Sequence, residues 1–368
     1  MTQPANSLPV RRCFLFKPDG IGDFFLASGF VRLLAREFGE ENLTVAVLPP
    51  MESVVRGQFP KASVVLLPIR KQRIILNVFV ANCLRCFSPW LTLLATKADV
   101  SISLRHMRDY LQNVLFYSVR AKRRVIASNL LLGNGRAVRR WTEKAFTSLF
   151  APTVIAYPES EEGIPSELAA NRLIASVALG RDVEIREIWP ELKSCAPPQL
   201  GSPYWVCAPF SSTTGKDFPV TRWIEVLASM ERSGRLPALV LTGSVDQAER
   251  LQEFLQLWQQ ASPRGKVSAQ VILPPSLQDL IDLLAGAKCV LTVDTAAAHA
   301  ATALDCRTLV LFSGLHQGMF APWVRSSRQR WVLPRKSSQQ KPGQVQGSWH
   351  SAHEISDLCG VLEEILAV

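Results

Sequence analysis

Four short stretches carry residue types that could do chemistry, and each follows an apolar run. In Asp19-Gly20-Ile21-Gly22-Asp23 two glycines permit close backbone approach, and Asp23 stands at a helix start. No third glycine follows at the spacing a dinucleotide fingerprint needs. Asp23 either caps its helix or serves as a carboxylate that orients or deprotonates a hydroxyl. In Ser211-Ser212-Thr213-Thr214-Gly215-Lys216, hydroxyls, a glycine and one lysine precede a helix. That set suits an anion, through hydroxyl and amide donors plus one point charge, although a Ser/Thr-rich helix cap has the same composition. Gly243 and Asp246 follow in Thr242-Gly243-Ser244-Val245-Asp246, where the aspartate caps a helix or meets a ribose. The fourth stretch, Val290 to His299, runs from an apolar strand into Asp294-Thr295 and the small residues Ala296, Ala297 and Ala298. Small side chains let a ligand reach the helix N-terminus, whose amides and dipole favour a diphosphate. His299 lies one turn beyond Thr295, as a packed helical histidine or as a ligand contact.

These loops need a scaffold, and the hydropathy pattern supplies one. Arg12–Lys17, Leu43–Leu48, Ser63–Leu67 and Ala98–Leu104 read as buried strands, with a helix over Asp23 to Phe38. The second half alternates in the same way. Strands are expected over Tyr204–Pro209, Pro237–Thr242, Val271–Leu273, Cys289–Val293 and Thr308–Phe312. Helices are expected over Val220–Arg232, Asp246–Gln260, Leu277–Ala285, Ala296–Leu304 and Glu354–Leu366, with a polar loop over Lys336–Ser348. Such alternation predicts an α/β protein with doubly wound parallel sheets. The Pro-, Gly- and Ser-rich run Ile188 to Ser202 reads as a linker. The expected division is residues 1–190, a linker over 191–202, and 203–368, with a terminal helix that can cross back. Two sheets so joined would face a cleft and bind ligands outside the carboxyl ends of their strands.

Length and composition agree: 368 residues, 48% hydrophobic and 20% charged, suit two globular domains and exclude a disordered chain. The formal charge is +10, and residues 1–190 hold 25 basic against 16 acidic side chains. Most of that excess lies in Arg105–Lys144, with ten basic residues against Asp109 and Glu143. The block is either a solvated face or a surface for phosphate-bearing lipid or sugar. No nucleic-acid motif accompanies it, so nucleic acid is not an expected partner. Ile74 to Ala98 is largely apolar and follows Arg70, Lys71 and Arg73. Asn77, Asn82, Arg85 and Pro89 interrupt it, and the polar stripe Asn77, Ala81, Arg85, Ser88 marks a buried or interfacial amphipathic helix rather than a membrane span. The eight cysteines read as reduced thiols, and polar Met1–Pro9 lacks the apolar core of a signal peptide, so a cytoplasmic protein is expected. Cys83-Leu84-Arg85-Cys86 has no second pair, and His350 and His353 have no third ligand, so no metal site is assigned.

Three ordered segments resemble glycosyltransferase family 9, the lipopolysaccharide heptosyltransferases. They are Lys17-Pro18-Asp19-Gly20-Ile21-Gly22-Asp23, then Lys216-Asp217-Phe218-Pro219 with Trp223, and finally Ser276-Leu277 through Leu284-Ala285-Gly286-Ala287-Lys288 to Val293-Asp294-Thr295 and His299. The resemblance implies two Rossmann-like domains of the GT-B architecture and an inverting, metal-independent transfer from a nucleotide-sugar, with heptose from an ADP-sugar the expected donor. By carry-over, Asp23 is the general base and Lys216 neutralises the leaving diphosphate. Ser211, Ser212, Thr213, Gly243, Asp246, Pro275, Asp294, Thr295, Ala296, Ala297 and His299 would line the donor. Gly22, Arg105, Arg123 and Arg124 would meet a lipid-linked anionic saccharide at the inner membrane surface, and no cofactor is implied. The family's glycine after Asp-Thr is Ala296 here, and Ser313-Gly314-Leu315-His316-Gln317 replaces a Gly-Pro-Thr-like run. A nucleotide-sugar epimerase of the same fold and a non-catalytic binder of nucleotide or anionic lipid are the competing readings.

Overall fold

Apolar runs of four or five residues, buried on both faces, form the cores of two parallel six-stranded sheets. The computed structural model describes residues 12–69, 76–105, 108–128, 137–156, 158–263, 265, 267–315, 317–333 and 353–368. Met1–Pro9, the basic group Arg70, Lys71 and Arg73, Arg136, His316, His350 and the polar loop Lys336–Ser348 lie outside them. The chain divides into two compact units, Met1–Ser160 with Ser166–Pro190, and Glu161–Pro165 with Glu191–Val368.

In the first unit, β1 (Cys13–Phe16), β2 (Leu43–Val47), β3 (Ser63–Leu66), β4 (Lys97–Ser103), β5 (Arg120–Ser128) and β6 (Thr153–Ala156) stand in the order β3-β2-β1-β4-β5-β6. The second unit repeats this topology. Its strands β7 (Trp205–Ala208), β8 (Ala238–Thr242), β9 (Ser268–Ile272), β10 (Cys289–Val293), β11 (Thr308–Leu311) and β12 (Gln329–Val332) stand in the order β9-β8-β7-β10-β11-β12. The chain reverses direction across the sheet between β1 and β4 and again between β7 and β10. Such switch points leave an opening beyond the carboxyl ends of the strands.

The expected helix over Asp23 to Phe38 is two helices, Ile21–Leu26 and Ser28–Phe38, meeting at Ala27. Gly29 permits a close approach there: a Cβ would lie 2.3 Å from the carbonyl oxygens of Ile188 and Trp189. The stretch expected as a linker is tied to the second unit from Leu192 onward. Leu192 N–H donates to Ala303 O, and Asp282 accepts from Ser194 Oγ and Cys195 N–H. The terminal helix, Ile355–Ala367, packs Leu358, Leu362 and Ile365 into the second core.

The basic block differs most from expectation. It contains the strand β5, whose basic first half gave no strand signal. Arg108 is fully buried: it donates to Glu143 (2.9 Å), Asn113 (3.0 Å), Ser103 (3.1 Å) and the carbonyls of Ala127 (3.1 Å) and Arg105 (2.8 Å). Arg124 donates to the carbonyls of Val119 and Ala121 and lies over the rings of Tyr117 and Phe150. Arg123 donates to Val177 O and Ala178 O. Both stand in the amino-terminal half of β5, opposite Val100 and Ser101, and so away from the carboxyl edge. They hold the first unit together, which withdraws them as acceptor contacts. Within Ile74 to Ala98 the described residues form two helices, Leu76–Arg85 and Phe87–Ala95. No helix among the described residues is long and apolar enough to cross a membrane.

Breaking the Arg108–Glu143 pair from one side leaves a buried charge. Arg108→Met is expected to destabilise by about 3–5 kcal/mol, and Arg108→Met with Glu143→Leu to recover most of the loss, read by urea unfolding.

Candidate active site

The donor candidates stand at the carboxyl edge of the second sheet, on its loops or in the helix Ala296–Ala303, and Asp294 and His299 form one cluster with Lys216. Strands β7 and β10 are neighbours, with Ala208 opposite Thr292, and the buried Thr292 Oγ1 donates to Ala208 O (2.9 Å). The loops that leave these strands therefore start side by side. Lys216, in the turn after β7, donates to Asp294 Oδ2 at 2.6 Å. The other carboxylate oxygen, Oδ1, faces His299 Nε2 at 3.6 Å. Trp323 Nε1–H donates to His299 Nδ1 (3.1 Å), so Nδ1 is an acceptor and neutral His299 carries its proton on Nε2, toward Asp294. His299 and Trp323 are stacked, and Trp331 flanks the imidazole.

Asp294 is nearly buried, and burial alone would raise its pKa. The hydrogen bond from His299, with the charge and hydrogen bond of Lys216, outweighs that and holds the carboxyl below its ordinary range. Thr295 caps the helix Ala296–Ala303 in extended conformation, and its hydroxyl meets Thr292 Oγ1 at 3.2 Å. Ala296 is the first helical residue and has no positive φ, so the family's glycine is not needed there for backbone conformation. Ala297 is buried in the first turn.

The loop that carries Lys216 is braced from behind. Asp217 Oδ1 accepts from Ser211 N–H (2.6 Å), and Asp217 Oδ2 pairs with Arg250 (2.7 Å), whose guanidinium lies 3.8 Å over the Phe210 ring. Ser211 Oγ donates to Thr213 O, while Ser212 and Thr213 are exposed. The remaining donor candidates stay outside the cluster. Gly243 fits closely beneath Gln247 and Leu251, Asp246 is exposed in a short turn, and Pro275 is exposed before the Ser276 cap.

The corresponding edge of the first sheet holds a second charged cluster. Lys17, buried just after β1, lies 2.9 Å from both Asp19 and Glu167. Arg105, after β4, donates to Asp19, to Pro18 O and to Gln112. Burial alone would lower the Lys17 pKa, but Asp19, Glu167 and Asp23 raise it, so Lys17 is a fixed cation. Asp23 is not the N-cap. It stands in the first turn with Gly22, and Gly20 N–H donates to its Oδ2 (3.2 Å). Lys17, Glu167, Asp217, Arg250 and Trp323 are thus cluster members with no assigned role in the sequence reading. Lys17 and Asp217 lie inside the segments that resemble the family, whereas nothing in the sequence signalled Glu167, Arg250 or Trp323.

The cysteine pair and His353 are placed structurally. Burial pushes the Cys86 thiol of the Cys83–Cys86 pair up to about 11, opposite to what a reactive thiol needs. His353 packs against Phe218. Among the described residues no group of three or more His, Cys, Asp or Glu side chains could hold a metal ion.

Because Asp294 has a lowered pKa in the folded state, its contribution to stability is complete above about pH 4 and is lost as pH falls through the folded value. Asp294→Asn is therefore expected to cost about 3 kcal/mol at neutral pH, where it strands Lys216. The difference from wild type should shrink as pH drops toward 3 in thermal unfolding. Trp323→Phe keeps the ring but removes the donor to His299, with an expected cost of about 1 kcal/mol in the same assay.

The sequence profile of glycosyltransferase family 9 (heptosyltransferase) matches residues 138–350. A comparison with curated protein sequences gives no match. Among solved structures, the chain is similar to the Escherichia coli heptosyltransferase WaaC with ADP, at 14% identity and a TM-score of 0.68, over 96% of this chain and 99% of that one. It is similar to a family 9 glycosyltransferase from Veillonella parvula, at 13% identity and a TM-score of 0.69, over 99% of each chain. A third is the Escherichia coli ADP-heptose lps heptosyltransferase II, at 14% identity and a TM-score of 0.67, over 97% and 98%. At such identities these likenesses show the fold, two Rossmann-like domains of the GT-B type. The profile match extends over more than half the chain and includes β7 to β12, with the Lys216–Asp294–His299 cluster inside it. The chain belongs to glycosyltransferase family 9, the heptosyltransferase family, and is a glycosyltransferase.

Proposed function

We propose that the enzyme moves a heptose or related sugar from an ADP-sugar onto a lipid-linked anionic saccharide such as a lipopolysaccharide core. The transfer inverts the anomeric centre and uses no metal. The observation that carries this reading is the Lys216–Asp294 pair at the start of the helix Ala296–Ala303: a partly exposed lysine beside a helix N-terminus suits a leaving diphosphate. That WaaC was solved with ADP supports adenine as the base.

In this reading the second unit holds the donor and the first the acceptor. Asp23 accepts the proton of the acceptor hydroxyl as its oxygen bonds to the anomeric carbon. The bond from that carbon to the diphosphate oxygen breaks in the same displacement, and ADP departs. Lys216 moves from Asp294 onto the diphosphate, whose charge grows as the bond breaks. His299 Nε2–H, held by Trp323, stays beside Asp294 and takes up the contact Lys216 leaves. Lys17 and Arg105, matched by Glu167 and Asp19, hold the turn that carries Asp23. The work takes place in the cytoplasm, at the inner face of the cytoplasmic membrane.

A thermal-shift series with ADP, GDP, UDP and dTDP tests the donor. ADP at about 100 times its Kd should stabilise by roughly 2.7 kcal/mol, and the other nucleotides by less. Asp23→Asn should keep the ADP shift while transfer falls by about 10²–10⁴-fold. Near-normal turnover by Asp23→Asn refutes its role as base.

A further inference from the structure

The helices Leu76–Arg85 and Phe87–Ala95 expose the wrong face for water. Val80, Leu84, Phe87 and Leu91 recur at intervals of four, three and four residues, the spacing of one helical stripe. All four are exposed, Leu84 by 73% and Phe87 by 56%. The residues packed inward are Asn82, Cys86 and Leu93, with Trp90 Nε1–H donating to Ser118. The polar stripe read from the sequence does not account for this surface: Arg85 and Ser88 share the exposed side with the large apolar residues. Four large apolar side chains in a row are more than the scattered exposure normal for a soluble surface.

Charge indicates what covers them. Between Glu52 and Asp99 the chain contains no acidic residue, but it contains Arg56, Lys61, Arg70, Lys71, Arg73, Arg85 and Lys97. Asp109, whose charge acts on the Cys83 and Cys86 thiols, is the nearby acid, and its carboxylate is engaged in capping Gln112 N–H. An apolar stripe in a purely basic segment complements a surface that is apolar beneath an anionic layer, as a bilayer of acidic phospholipids is. Position agrees. Asp109, whose charge reaches Cys83 and Cys86 at the junction of these helices, stands in the stretch after β4, on the carboxyl side of the sheet, as do Lys17 and Asp19 after β1. Tyr110, half exposed at the start of the helix after β4, adds an aromatic group at that edge.

We propose that Val80, Leu84, Phe87 and Leu91 seat the first unit on the surface of an anionic bilayer, beside the edge where the acceptor saccharide binds. The proposal deepens the reading of a lipid-linked acceptor and rests on it. Seating the stripe brings the enzyme to an acceptor confined to two dimensions, and the basic residues select the charged leaflet.

The test is flotation of the full chain with phosphatidylcholine vesicles, with and without phosphatidylglycerol. Wild type should float with the anionic vesicles, less with phosphatidylcholine alone, and less as salt rises. The double variant Leu84→Glu/Phe87→Glu, exposed and outside the catalytic groups, should keep the wild-type thermal midpoint and ADP binding. It should lose vesicle binding by at least about tenfold. Failure of wild type to float, or flotation of the variant equal to wild type, overturns the proposal. So does a wild-type dimer that the variant dissolves without any flotation, since the stripe would then cover a second copy. Transfer to a short soluble acceptor saccharide separates the two readings. Transfer without flotation removes the docking surface alone, whereas flotation without transfer from any nucleotide-sugar removes the proposed activity alone.

Discussion

The 2.6 Å ion pair between Lys216 and Asp294 is the contact around which the carboxyl edge of the second sheet, and the donor site proposed there, is built. A nearly buried carboxylate is costly unless it is matched, and Lys216 and His299 match it on separate oxygens. The pair exists because β7 and β10 are parallel neighbours whose carboxyl ends deliver the two loops to the same point. Everything behind it serves to hold that geometry. Asp217 and Arg250 brace the lysine loop, Thr292 ties the two strands, and Trp323 fixes the imidazole. A lysine held by one anion at a helix start can be passed to another without a large rearrangement, because the site is already built around its charge.

The first unit solves a related problem with the same topology. Its switch point lies between β1 and β4, and there Lys17 and Arg105 converge on Asp19, with Glu167 completing the pairing. The two edges differ in how closely the charge is enclosed. Lys17 is buried among carboxylates and stays fixed, whereas Lys216 retains some exposure and a single carboxylate partner in its ion pair. A fixed cation suits the positioning of Asp23, and a transferable one suits a departing diphosphate.

Much of this was legible in the sequence, and what was not has physical causes. Strands such as Cys13–Phe16 and Cys289–Val293 are buried on both faces and read as unbroken apolar runs. β5 was hidden by its composition. Only Val125–Ser128 pair with β6, so Arg120–Arg124 lie on a half-open edge where basic side chains can reach solvent or backbone carbonyls. β6 is itself largely exposed, and β12 alternates, which weakens both signals. Asp23, Lys216, Asp294 and His299 stood out because they follow strands at fixed spacing. Trp323 did not, since its bond to His299 spans 24 residues and is made by a loop with no periodicity. The basic block misled because charge count ignores partners, and Arg108 and Glu143 are hidden in the core.

The transfer of Lys216 from carboxylate to diphosphate is best tested by a double-mutant cycle on ADP affinity, measured by calorimetry on wild type, Lys216→Met, Asp294→Asn and the double variant. If the two residues act as one unit, Lys216→Met weakens ADP binding at least tenfold, and adding Asp294→Asn to it changes little, a coupling of about 1–3 kcal/mol. ADP binding by Lys216→Met that equals wild type, or effects that simply add, would contradict the account.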